Sequence, residues 1–228
     1  MNLLSILIQV TNGLISSPEA EEIKLSLWEL AKEGGWIMLI LAIFSVVAIY
    51  IFVERFITIN KASKKDDEFM NTIRTYMIEG KIDDARLLCK QKGTPISRMI
   101  EKGISRIGKP LNDIQTAIEN VGNLEVSKLE KGVALIGMIA GAAPMLGFLG
   151  TVTGMIRAFY NMSMAGNNID IELLSAGIYE AMVTTVGGLI VGIVAYILYN
   201  IIVSKIDNIV NLLESKSIEF MDVLNEPA

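Results

Sequence analysis

Glu180 stands at the head of the apolar run Ala181–Val203, and Leu173, Leu174 and Ile178 extend that apolar character upstream. A helix starting near Ser175 then carries this carboxylate a turn or more into a membrane. An ionised carboxylate on a lipid face costs on the order of several kcal/mol, so Glu180 should face a bundle interior or a wet cavity. The alternative is an interfacial glutamate that snorkels to the outer surface. Four and seven residues on stand Thr184 and Gly187, followed on the same face by Val191, Val194 and Leu198, while Thr185, Gly188 and Gly192 flank that stripe. A carboxylate beside hydroxyls and small residues suits proton movement through side chains and water. The three apolar runs plus Glu180 supply one ionisable carboxylate and no Lys, Arg or His, which is a thin relay. Several copies must pool their Glu180 residues, or a partner must insert a second ionisable group; both are expected.

A second run, Val133–Ile156, crowds Gly137, Ala140, Gly141, Ala142, Ala143, Pro144, Gly147, Gly150, Thr151, Thr153 and Gly154 into about five turns. At helical spacing Ala140, Pro144, Gly147, Thr151 and Gly154 or Met155 share a face. Small residues allow close helix approach, so the stripe reads as a packing seam; with its hydroxyls it reads equally as the lining of a narrow pore. A third run, Trp36–Val53, is Leu/Ile/Val-rich with only Ser45 and Tyr50 polar, and suits a structural role facing lipid.

The elements that must position these residues are helices. The three runs of 18, 24 and 23 residues each reach the length needed to cross hydrocarbon. They sit in a 228-residue chain that is 52% hydrophobic and 20% charged, with mean hydropathy +0.49. Net charge −5 without a dense Lys/Arg block argues against nucleic-acid binding. Histidine is absent and Cys89 is the single cysteine, which excludes an internal disulfide, Cys/His zinc sites and His-based catalysis. No Ser/Lys or paired-Asp constellation supports an intramembrane enzyme, and no metal or cofactor is expected. Cys89, beside Leu87 and Leu88, reads as a small buried hydrophobe.

Positive residues mark the cytoplasmic ends of spans. Arg55, Lys61, Lys64 and Lys65 follow the first run, Lys205 and Lys216 follow the third, and the loop between the second and third carries only Arg157. The predicted topology is therefore N-out/C-in, an all-α membrane protein with three transmembrane helices and long cytoplasmic helical extensions. Residues 1–35 form a periplasmic amphipathic segment, 36–53 the first span, 54–131 a cytoplasmic helical region, 132–159 the second span, 160–174 a periplasmic loop, 175–203 the third span and 204–228 a cytoplasmic C-terminal helix. In the first of these, Ser17-Pro18-Glu19 reads as a helix start and Gly34-Gly35 as its stop, with Trp28 and Trp36 as interfacial aromatics. The segment lies along the membrane boundary or packs on a neighbouring subunit. Leu3–Val10 lacks the basic flank and cleavage pattern of a signal peptide. Within 54–131, helices are expected from Asp83 to Gln91, from Ile96 to Ile107 and from Leu111 onward, separated by Gly93-Thr94-Pro95 and Gly108-Lys109-Pro110. With no proline between Pro110 and Pro144, one helix of roughly 70 Å is expected from about Asn112 to Phe159.

Two segments together, Ala143-Pro144-Met145-Leu146-Gly147-Phe148-Leu149-Gly150-Thr151-Val152-Thr153-Gly154-Met155 and Gly177-Ile178-Tyr179-Glu180-Ala181-Met182-Val183-Thr184-Thr185-Val186-Gly187-Gly188-Leu189, resemble the MotA/TolQ/ExbB proton channel family on its ExbB/TolQ side. The resemblance combines two motif cores on the right two spans with matching topology and extends from about Trp28 to Val203. It implies a homopentamer around a dimer of a single-span partner like ExbD or TolR in the pore. The assembly would sit in the bacterial inner membrane and convert proton-motive force into motion. A TonB-like effector would then energise outer-membrane transport, or the chain would serve the Tol-Pal envelope system as TolQ does; a non-conducting membrane scaffold is the reading outside the motor class. By the same resemblance Thr151, Glu180 and Thr185 line the pore, and the partner's span supplies the proton-accepting aspartate. Thr184 stands where ExbB and TolQ usually carry a small apolar residue and would add a hydroxyl to the path. Pro144, Gly147, Gly150, Gly154, Gly187 and Gly188 are the packing or pore residues of the two motif cores.

Overall fold

The computed structural model describes residues 35–62, 67–164 and 171–225, so the features of 1–34 expected from sequence lie outside the described residues. Among the described residues there are seven helices: α1 (Gly35–Ala62), α2 (Asp67–Ile78), α3 (Ile82–Lys92), α4 (Pro95–Ile104), α5 (Leu111–Glu130), α6 (Val133–Met164) and α7 (Ile171–Asn225). No strand occurs among the described residues, and α1, α6 and α7 are each long and apolar enough to cross a membrane.

Local sequence sets the ends of the short helices. Thr94 caps α4, its hydroxyl accepting the Ser97 N–H at 3.2 Å, with Pro95 preset at the first helical position. Asp83 and Asp84 open α3, and Lys90 and Lys92 close it, each favourable to the helix dipole. Its last turn is satisfied by the Gly93 N–H donating to the Cys89 carbonyl.

The long helix expected from Asn112 to Phe159 is two helices. Gly132 has φ +83°, a left-handed conformation that L residues rarely adopt, and it lies in the two-residue break between Glu130, where α5 ends, and Val133, where α6 begins. Two other boundaries also move. Helix α6 continues to Met164, past the expected end of the second span, and α7 starts at Ile171 and runs unbroken through 203. The third span and the C-terminal helix are thus one 55-residue rod, roughly 80 Å long.

The rod joins two packing regions. Along the spans, α6 and α7 run antiparallel in close contact. Helix α1 lays Ile37, Leu41, Ala48 and Ile51 against them and leaves Leu39, Ile43, Val46 and Val53 exposed, as a lipid-facing helix should. Beyond the spans, α2 to α5 gather around the distal half of α7. Ile73, Cys89, Ile100, Ile118, Ile202, Ile209 and Phe220 are fully enclosed there. Burial of such large side chains contributes roughly 1.5–3 kcal/mol each, which anchors the helical region to the rod.

Candidate functional site

The seam between α6 and α7 is built from residues with almost no side chain. A Cβ on Gly188 would stand 2.6 Å from the Ala143 carbonyl oxygen and 2.8 Å from the Gly147 Cα. A Cβ on Gly154 would stand 2.9 Å from that of Ala181, and one on Gly177 would stand 2.7 Å from that of Ala158. These contacts fix the register: Gly147 opposes Gly188, Gly154 opposes Ala181 and Ala158 opposes Gly177. Pro144 packs its ring on Gly192, where a Cβ would lie 2.5 Å from the proline Cγ. The proline takes one N–H out of the α6 ladder, and the glycine opposite gives its ring room.

Of the glycines singled out from sequence, Gly147, Gly150, Gly154 and Gly188 face this seam. Gly187 does not: it turns toward α1, where an added Cβ would meet the Met38 sulfur at 2.8 Å.

The seam holds three threonine hydroxyls. Thr151 and Thr185 are hydrogen-bonded to each other through their Oγ1 atoms. Thr185 Oγ1 also lies 3.2 Å from the Gly147 carbonyl, and Thr151 Oγ1 lies 3.3 Å from both the Gly147 and Ala181 carbonyls. Each hydroxyl has one proton and can accept as well as donate. The pair therefore has two hydrogen-bond polarities: Thr151 donates to Thr185 while Thr185 donates to Gly147, or Thr185 donates to Thr151 while Thr151 donates to a carbonyl. Both are satisfied by the same heavy atoms, which is the property a proton relay requires. Both residues are half-buried. Thr184 differs: at 2% exposure it is the threonine the seam encloses, and it donates to the Ala181 carbonyl three residues back at 2.7 Å.

Glu180 lies further along the seam, toward the α6–α7 connection. Its Oε1 is 3.6 Å from Nη1 of Arg157 and 3.1 Å from where a Cβ would stand on Gly35, the first residue of α1. The carboxylate thus sits between a guanidinium and the start of a helix, whose free N–H groups favour negative charge. Sequence alone does not single out Arg157, because the apolar run ends at Ile156 and the arginine reads as a charge flanking the run. The register of the seam carries part of the signal: with Gly154 opposite Ala181, Arg157 comes level with Ile178, two residues from Glu180 and within reach of a long side chain. By helical rise, roughly 8 Å of seam separates this pair from the two threonines, a gap that water must bridge for a proton to pass.

Among the described residues no group of His, Cys, Asp and Glu is spaced to hold a metal. A second charge cluster lies outside the spans: Glu125 on α5, its side chain 4% exposed, accepts from Arg98 at 2.5 Å and from Lys128 at 2.6 Å. Burial pushes this carboxyl's pKa up, but the two cationic hydrogen bonds outweigh it and hold the group below the usual carboxylate range.

The stretch 91–215, which takes in α4, α5, α6 and most of α7, matches the MotA/TolQ/ExbB proton channel family. The chain is 27% identical to a putative biopolymer transport protein ExbB homolog of Methanothermobacter thermautotrophicus over 187 residues, 82% of this chain and 66% of that protein. It spans about two thirds of the length of such relatives. Over shorter stretches it is 32% identical to the Tol-Pal system protein TolQ of Haemophilus influenzae, across 44% of this chain and 42% of that one. It is 37% identical to the biopolymer transport protein ExbB of Aquifex aeolicus, across 35% and 53%. With a family match over more than half its length and the two motif cores meeting face to face in one seam, the chain belongs to the MotA/TolQ/ExbB proton channel family.

Proposed function

We propose that this chain is the channel subunit of a bacterial inner-membrane motor, oriented N-out/C-in. It would be a homopentamer around a dimer of an ExbD/TolR-like single-span protein, using proton-motive force to energise TonB-dependent outer-membrane transport. It acts as a motor component and not as an enzyme. The observation that carries this reading is the reversible Thr151–Thr185 hydroxyl pair in the same seam as Glu180. The path needs a second carboxyl to take the proton onward, and a partner span bearing one supplies it. Protonation of that carboxyl removes a charge that the threonine-lined surface otherwise solvates, so each proton changes which face of the ring the partner prefers. One charge moved through 100 mV delivers about 2.3 kcal/mol, enough to step a partner along a smooth surface. The TolQ-like stretch favours a second reading, in which the same motor serves the Tol-Pal envelope system.

The test is proton flux into liposomes holding the complex of this chain with its single-span partner. Flux that requires both the partner and Glu180 supports the motor. Wild-type flux in the Glu180→Gln complex removes Glu180 from the path, and no flux in an intact complex points to a non-conducting scaffold.

A further inference from the structure

The seam shows a charge balance that the proton path alone does not require. Arg157 is the one charged residue of α6, and it lies 3.6 Å from Glu180, the carboxylate on the helix opposite. No other described cation can serve that carboxylate. On α7 the next is Lys205, 25 residues on, and α1 presents Gly35 at this level, its first ionisable side chains being Tyr50 and Glu54. The pair is accessible, with the arginine side chain 63% exposed and the glutamate 33%, so it faces whatever medium fills the space beside the seam.

An uncompensated carboxylate at a narrow wet opening concentrates metal cations, and a ring of them makes a cation channel; a fixed positive charge at the same place excludes them. We infer that Arg157 is a positioning and selectivity residue, holding Glu180 in a neutral ion pair so that the path passes protons and turns away sodium and potassium. This inference rests on the proposed proton path. A hydroxyl pair with two polarities transmits a proton without transmitting an ion, so neutralising the opening costs proton transfer little. Exclusion of metal cations then depends on the guanidinium remaining beside the carboxylate.

The experiment uses the intact complex, isolated from membranes through a tag on this chain and reconstituted into liposomes, with proton flux and sodium and potassium uptake read side by side. Arg157→Gln should raise sodium and potassium uptake by about tenfold or more over wild type. Arg157→Lys, which keeps the charge, should stay tight. The double variant Arg157→Gln with Glu180→Gln should also stay tight, because the carboxylate that attracts the cations is gone. Uptake in Arg157→Gln no greater than in wild type would overturn the inference. So would an equal leak in the double variant, which marks a packing defect, or a leak in Arg157→Lys. A Glu180-dependent sodium leak in Arg157→Gln, found together with proton flux that survives Glu180→Gln, would reject the proton path and leave the charge balance standing.

Discussion

Thr151 on α6 and Thr185 on α7 share a hydrogen bond across the seam, with the Gly147 carbonyl within reach of both hydroxyls. Their contribution to the fold should be small, since interhelical hydrogen bonds in membranes average about 0.6 kcal/mol. Their contribution to conduction should be large. Thr151→Val and Thr185→Val are each expected to leave thermal unfolding in detergent nearly unchanged while lowering proton flux of the reconstituted complex. Serine at either position should restore it. The double valine variant should be no worse than either single one, because a relay fails as a unit. Additive losses would mean that the two hydroxyls act separately.

Gly188 has no room for a methyl group, because the atoms a Cβ would strike at 2.6 and 2.8 Å belong to the backbone of α6 and cannot swing away. Gly188→Ala should therefore destabilise the helix pair by about 1–3 kcal/mol, the usual range for overpacking. Gly141 lies on the same helix as Gly147, yet a Cβ there meets nothing within 4 Å. Gly141→Ala should be neutral or raise stability by up to about 1 kcal/mol through helix propensity. Thermal unfolding of the two variants in detergent separates these outcomes, and equal losses would show that the seam is looser than this register requires.

The spans were legible because a bilayer demands a long uncharged run, and three such runs stand out against charged flanks. The starts of α3 and α4 were legible for a local reason, acids in one first turn and Thr94-Pro95 at the other. The break at Gly132 was not, since glycine also sits inside helices here, at Gly122 and Gly137, and only its φ of +83° distinguishes it. Within the site, a one-residue step decides whether a threonine meets its counterpart or is enclosed. Periodicity brings Thr184 and Thr185 to neighbouring positions, and only the antiparallel register pairs Thr185 with Thr151. Arg157 escaped because the uncharged run stops at Ile156 and a charge at the edge of a span reads as a flank, whereas the packing of α6 on α7 brings that side chain to Glu180.

Cys89 is fully buried between the helices outside the spans, and its thiol pKa is pushed up to about 12 by desolvation, with Glu101 adding to the effect. The thiolate is the reactive form, so at pH 8 alkylation of the folded chain should be slower than that of an unperturbed thiol by on the order of a thousandfold. Iodoacetamide labelling followed by mass spectrometry should show Cys89 protected in mild detergent and modified quickly once α3 is unfolded by denaturant. Equal rates in both conditions would place the sulfur at an exposed surface.

Glu125 joins α4 to α5 through Arg98 and to its own helix through Lys128, and it does so from a buried position. Its folded carboxyl is held below the usual range, so the stability it contributes is fully present above the unfolded value of about 4.3 and is lost as pH falls through the folded value. Near neutral pH, Glu125→Gln should destabilise the helical region by about 1–2 kcal/mol; the cations are 42% and 57% exposed, which keeps the loss below that of a fully buried pair. In the variant the acid-dependent part of the loss should shrink, because no carboxylate remains to be protonated there. Circular dichroism melts from pH 7 down to pH 3 would show wild type and variant converging at the acid end. Parallel curves across that range would mean that Glu125 titrates alike in the folded and unfolded chains and that its ion pairs contribute nothing at neutral pH.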